Sequence, residues 1–243
     1  MSHTAFRCAL ALGASTPLLG QNGERHPVAI QAWQGAVVAG GLVLLSAFDA
    51  AVRTEAQEHR SPAEDQVAAV LRTGGEPEVY VPVPAAIFLA GLATRRPALR
   101  GAGERVAGSL VVAGVLTVAT KLVVGRLRPN ETTEPYAFKP LSGAAAFPSG
   151  HSAMAFTLAT ALAGEIHRPW VTALLVSAAA GTAWSRVNDN HHWLSDVAAG
   201  AAIGVASAQW VEGRWQVFRV APPIFFTGHG RAGIEWRLPV RAG

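Results

Sequence analysis

"SRVNDNHHWLSD", residues 185–196, sets two adjacent histidines between an arginine and an aspartate. An apolar run flanks it on each side, Trp170–Trp184 before and Trp193–Val211 after. Tryptophans bracket both runs, as aromatic belts bracket membrane spans. The helical steps from Trp193 to Trp210 cover roughly 26 Å, close to the thickness of a hydrocarbon core. The polar stretch therefore reads as a short loop joining two spans at one membrane surface.

Four more apolar segments lie upstream: Val28–Ala51 with Asp49 near its end, Val79–Ala93 with Pro82 and Pro84, Val106–Val124, and Ser152–Ile166. Half of the 243 residues are hydrophobic and only 15% are charged, against about 25% in soluble domains. Mean hydropathy is +0.27. The expected fold class is all-α, a six-transmembrane helix bundle with its active site at the outer membrane–water interface. Several segments fall short of the ~20 residues of a standard span, so a compact soluble helical domain is the competing architecture.

Charge sets the orientation. The link "TRRPALRGAGER", residues 94–105, holds four arginines and one acid, whereas residues 52–78 are net acidic. By the positive-inside rule the arginine-rich link faces the cytoplasm, and residues 52–78, 125–151 and 185–192 share the outer side. Arg7, Arg25, Arg214 and Arg219 then place both termini inside. The chain divides into an N-terminal segment (1–27), a membrane-embedded domain (28–211) and a tail (212–243). Residues 52–78 read as two amphipathic helices split at Ser61-Pro62. Alternating stretches on either side of "TGHGRAG", residues 227–233, read as a hairpin. Gly200 and Gly204 make a small-xxx-small pair suited to close helix approach.

Composition narrows the function. The arginines are scattered between apolar runs and no nucleic-acid motif is legible, so nucleic acid is not an expected partner. Cys8 is the single cysteine, which excludes an internal disulfide and a thiolate metal cage. The N-terminus is too short and weakly apolar for a signal peptide.

The three outer links carry the chemistry. Lys121 and Arg128 are two helical turns apart, so their heads point the same way if that helix continues through both. A cation at the end of an apolar segment costs several kcal/mol unless it snorkels or meets an anion. Snorkelling explains one such cation well and three, with Arg126, poorly. Arg126 falls on a different helical face and is expected at the surface or against a headgroup. "PSGH", residues 148–151, precedes the fourth segment as a helix start. Its amides form an anion site, Ser149 caps, and Gly150 admits close approach. An ordinary cap accounts for those residues but gives His151 no task. His192 and Asp196 are spaced i,i+4, which lets a carboxylate orient one ring nitrogen and leave the other free. His191 with Ser195 has the same spacing without the carboxylate. Metal binding by "DNHH" is disfavoured, because adjacent histidines on a helix diverge by about 100°. Cations, a helix N-terminus and two histidines on one face suit phosphoryl transfer.

Lys121-(six)-Arg128-Pro129, Pro148-Ser149-Gly150-His151 and Ser185-Arg186-(five)-His192-(three)-Asp196 resemble the tripartite signature of the type-2 phosphatidic acid phosphatase superfamily. That superfamily includes bacterial acid phosphatases and vanadium haloperoxidases. Eleven specified positions, each met by chance at roughly one in twenty, make coincidence untenable. The resemblance implies that Lys121, Arg128, Arg186, Ser149 and the Gly150 amide hold the phosphate. It implies that His192 attacks phosphorus, Asp196 orients His192, and His151 protonates the leaving group. His191 lies one place out of register. No metal or other cofactor is implied for such a phosphatase, although vanadate could occupy the phosphate site.

The expected function is metal-independent hydrolysis of a lipid phosphate or pyrophosphate in the bacterial inner membrane, with the site on the periplasmic side. The competing readings are a soluble broad-specificity phosphatase or haloperoxidase and a non-catalytic phospholipid-binding or transport protein. Mere binding of an anion has no use for His151, His192 and Asp196 together.

Overall fold

A computed structural model describes residues 27–217, 224–228 and 231–235. The N-terminal readings on Arg7, Cys8 and Arg25, and the tail reading on Arg219, lie outside the described residues.

The first apolar segment is not one straight helix. After a short strand β1 (Val28–Ile30), α1 (Ala32–Ser46) stops before Asp49, and the chain bends 49° into α2 (Asp49–Glu58). The expected span Val28–Ala51 is thus corrected: its last residues open the next helix, because Asp49 has polar partners in the interior. α3 (Pro62–Arg72) begins where Ser61-Pro62 predicts. Ser61 Oγ accepts from the Glu64 N–H at 3.3 Å, and the Ser61 N–H donates to the Glu64 carboxylate at 2.9 Å, a closed capping box. A 3₁₀ turn (Thr73–Gly75) and α4 (Pro77–Tyr80) lead into α5 (Pro82–Ala93), the second apolar segment.

α6 (Pro97–Val124), α7 (Gly150–Ile166), α8 (Pro169–Asn188) and α9 (Leu194–Val211) follow. α7 is central, packed against α6, α8 and α9. A Cβ on Gly200 would lie 2.4 Å from the Ser149 carbonyl oxygen, and one on Gly204 2.5 Å from that of Ala153. The glycine pair is what lets α9 lie on α7. β1 pairs in parallel with β2 (Trp215–Val217), and β3 (Ile224–Gly228) pairs antiparallel with β4 (Arg231–Glu235), joining the two alternating stretches of the tail. The all-α expectation is corrected to this extent: a helical bundle carries two small strand pairs.

Much of the exposed surface of α1, α6 and α8 is apolar. α1 buries none of its residues, and Val111, Val115, Val118 and Val123 on α6 and Trp170 and Leu174 on α8 are exposed. Among the described residues α6 alone is long and apolar enough to cross a bilayer as a single helix, and α1 with α2 would qualify as a bent pair. Trp193 departs from the belt expectation. It is 1% exposed, with the Arg126 and Arg53 guanidinium groups 5.4 and 6.0 Å from its ring centroid. Its indole N–H donates to the Leu127 carbonyl at 3.0 Å, so it is a core residue.

Candidate active site

The polar ends of α6, α7, α8 and α9 converge, and the backbone fixes each functional side chain. α6 ends at Val124 because Gly125 adopts a left-handed conformation (φ 57°), where a Cβ would collide with Lys139. Lys121 and Arg128 therefore do not share a helix face, which corrects the two-turn expectation. A loop brings them together instead. The Leu127 N–H donates to Ala137 at 3.0 Å and the Ala146 N–H to Arg126 at 3.0 Å, folding residues 125–146 back on themselves. The Lys121 ammonium donates to the Ala145 carbonyl, and the Arg128 N–H is held by Glu131 at 2.9 Å.

Ser149 caps α7, its hydroxyl 3.5 Å from the Ser152 N–H, and Gly150 opens the helix, where a Cβ would lie 4.0 Å from the Thr117 methyl. The exposed amides at this start are a fitted anion site. His151 follows on the first turn, half-buried. The 3₁₀ turn lies directly on it: a Cβ on Gly75 would be 2.7 Å from the His151 Cα, Cβ and carbonyl oxygen.

Arg186 closes the opposite side, near the C-terminus of α8 and 5% exposed. One terminal nitrogen donates to Asp189 at 2.9 Å and the other to His191 Nδ1 at 2.7 Å. The Arg186 carbonyl accepts from the His191 and His192 N–H groups at 3.1 and 3.2 Å. Asn190 turns the chain in a left-handed conformation (φ 55°), so the two histidine rings leave the turn differently. His191 buttresses Arg186, while His192 is 5% exposed with Nδ1 3.5 Å from Asp196 Oδ2. That separation is longer than a formed hydrogen bond, a spacing common where substrate binding tightens the contact. Burial pushes both rings below the ordinary histidine range, and for His192 this prevails over the opposing pull of Asp196. Both are therefore neutral near pH 7, the state a nucleophilic imidazole needs.

Asp196 sits in the first turn of α9, fully buried. Its Oδ2 also accepts from the Trp193 N–H at 2.9 Å, and its Oδ1 accepts from Arg126 at 2.7 Å. Arg126 is thus not at the surface. It is 2% exposed, and all five of its N–H donors are occupied. Nε and one Nη2 proton go to the Pro135 carbonyl (2.8 and 2.6 Å), the other Nη2 proton to Asp49 (2.7 Å), and Nη1 to Ser195 Oγ (2.8 Å) and Asp196. The helical-face argument failed for Arg126 because α6 stops one residue before Gly125.

The predicted residues Lys121, Arg128, Ser149, Gly150, His151, Arg186, His192 and Asp196 all fall in this one region. Sequence reasoning missed Asp49, Gly75 and the inward course of Arg126. Asp49 did carry a signal, since an acid at the end of an apolar segment is costly unless partnered. Gly75 carried none. The assembly can hold a tetrahedral anion between cations and helix amides, attack it with one imidazole and protonate a departing oxygen with another.

Residues 104–217 match the family model of the PAP2 superfamily. Over 98 residues, 40% of this chain, the sequence is 37% identical to a "Lipid A 1-phosphatase" of Porphyromonas gingivalis. The match spans only 20% of that longer protein. Two crystal structures share the fold at 21% identity. Aquifex aeolicus LpxE gives a TM-score of 0.53 over 68% of this chain and 94% of its own. A transmembrane PAP2-type phosphatidylglycerolphosphate phosphatase from Bacillus subtilis gives 0.58 over 74% and 95%.

Proposed function

We propose that this PAP2-superfamily chain is an integral-membrane phosphatase that hydrolyses a lipid phosphate or diphosphate through a phosphohistidine intermediate. The observation that carries the reading is the convergence of Lys121, Arg128, Arg186 and the α7 amides around His151 and a neutral His192 backed by Asp196. His192 attacks phosphorus through Nε2, Asp196 stabilises the imidazolium that forms, and His151 gives its proton to the leaving oxygen. Water then attacks the phosphohistidine with His151 as base. Charge built up on the equatorial oxygens meets cations already in place, which is where catalysis of phosphoryl transfer chiefly lies. No residue role here depends on a metal ion. Vanadate, which becomes trigonal-bipyramidal when a histidine nitrogen binds it, is the expected inhibitor.

The apolar exterior of α1, α6 and α8 supports a bilayer location. In our reading α1, α5, α6, α7, α8 and α9 are the six spans, the shorter ones thinning the bilayer locally or tilting little. The site then opens at the outer, periplasmic surface, covered by α2 and α3. The named relatives put lipid A 1-phosphate and phosphatidylglycerol phosphate first among candidate substrates.

The test is phosphate release in detergent with EDTA present, from those two lipids, phosphatidic acid and a polyprenyl diphosphate. Release by wild type and none by His192→Ala supports the reading. A folded wild type inactive on every lipid sinks it.

A further inference from the structure

Among the described residues, Asp49 and Arg126 are buried charged groups whose hydrogen bonds all go to protein partners: each other, Ser195, Asp196 and the Pro135 carbonyl. Asp49 is fully buried at the bend between α1 and α2. Its Oδ1 accepts from the Ser195 N–H at 2.8 Å. Its Oδ2 accepts from Ser195 Oγ at 2.6 Å and from Arg126 at 2.7 Å. The same guanidinium holds Asp196 at the same distance. One arginine therefore bridges two carboxylates, one of which backs His192.

We infer that Asp49 and Arg126 are a positioning pair that sets how much negative charge Asp196 presents to His192; this rests on the phosphatase reading. Charge balance is the reason. With Arg126 alone, the buried ion pair would cancel the Asp196 carboxylate and leave His192 without an electrostatic partner. Asp49 occupies the other side of the guanidinium, so the three groups together keep a formal charge of −1. Asp196 Oδ1 is tied down by Arg126, and Oδ2 is left facing the imidazole. In a water-excluded site this balance acts at close to full strength, because little solvent screens it. The other charged or titratable groups facing His192 are Lys121 from α6, His151 from α7, Arg186 from α8 and the adjacent His191. None of these takes part in the Asp49–Arg126 contacts.

Opposite signs give the test. Removing the Asp49 charge makes the surroundings of His192 more positive and lowers its proton affinity; removing the Arg126 charge raises it. The measurement is kcat/KM from about pH 4 to 9 on a short-chain phosphatidic acid, for wild type, Asp49→Asn, Arg126→Met, Arg126→Lys and the Asp49→Asn/Arg126→Met double variant. The acid limb, where His192 loses its proton, is expected to move down by about half a unit or more in Asp49→Asn and up by a similar amount in Arg126→Met. The double variant restores the charge sum and brings the limb back towards wild type. Arg126→Lys keeps the limb while lowering kcat roughly 10-fold through lost geometry.

A merely structural pair would lower the yield of folded enzyme and leave every limb in place. Coincident limbs, or limbs moving the same way, overturn the inference. If Arg126→Met does not fold, Asp49→Asn and Arg126→Lys decide alone: the first must shift and the second must not. A folded wild type that releases no phosphate from any of the lipids above sinks the phosphatase reading, and this inference with it. An active wild type with coincident limbs overturns only the positioning pair.

Discussion

Ser149 donates its backbone N–H to the carbonyl oxygen of Asp196 at 2.9 Å. The cap of α7 and the residue behind His192 are thus joined by one hydrogen bond, and neither can move without the other. Gly200, one turn further along α9, leaves clear the space beside the Ser149 carbonyl that a Cβ would enter.

Gly200→Val therefore strikes the site through the backbone. Its Cβ would stand 2.4 Å from the Ser149 oxygen, and the rigid helix starts leave little room to yield. We expect a destabilisation of about 1–3 kcal/mol and at least a 10-fold fall in kcat/KM. Thermal unfolding and lipid-phosphate turnover, measured on one preparation, check both. Unchanged turnover would mean that the α7–α9 contact is not what holds the cap.

The two histidines should separate cleanly. His192→Ala is expected to lose activity by about 10³-fold or more, since it removes the nucleophile. His191→Ala leaves the nucleophile but frees one end of Arg186, and a charge-assisted hydrogen bond of this kind is worth about 1.5–3 kcal/mol. Its loss should appear mainly as a KM raised about 10-fold. Kinetics of both variants beside Arg186→Lys provide the check, with His191→Ala and Arg186→Lys shifting KM alike.

Gly75→Ala tests the cover over His151. The new methyl would meet three atoms of that residue at 2.7 Å and lift the 3₁₀ turn or tilt the first turn of α7. We expect kcat/KM to fall about 10-fold or more, because a small misplacement of a catalytic group is costly. Wild-type activity in this variant would show that the turn is a passive neighbour.

At the other end of the bundle, Glu212 is a buried carboxyl with Arg214 Nε 3.1 Å away. Burial pushes its pKa up from 4.5 to about 7. Between those values the unfolded chain binds fewer protons than the folded one, so stability is full below about pH 4.5 and declines as pH rises through about 7. Glu212→Gln removes that decline. Relative to wild type its Tm should be about 5 °C higher at pH 8 and nearly equal at pH 4.5, by calorimetry in detergent.

Much of this was legible in the sequence, and what was not has identifiable causes. Apolar runs located the helices, and Ser61 announced its capping box because that motif is local. The grouping of Lys121, His151, Arg186, His192 and Asp196 followed from residue types that have little other reason to occur at those spacings. Arg126 was misplaced because helical-face reasoning was carried past Gly125, where the helix had already ended. Trp193 was assigned to an interfacial belt on spacing alone, whereas two arginines and the Leu127 carbonyl claim it for the interior. Gly75 touches His151 across a gap of 76 positions, a relation that neither periodicity nor motif encodes.

Asp49 also says something about how the molecule comes into being. The bend that delivers it is made early in synthesis, but its partner Arg126 follows 77 residues later and Ser195 146 residues later. Until they arrive, the growing chain carries an acid at the edge of an apolar helix with nothing to neutralise it. A chain that stops before α9 has Arg126 but lacks the Ser195 N–H and hydroxyl that complete the surroundings of Asp49. The interior salt link thus ties a bend near the start of the chain to helices that are made only much later.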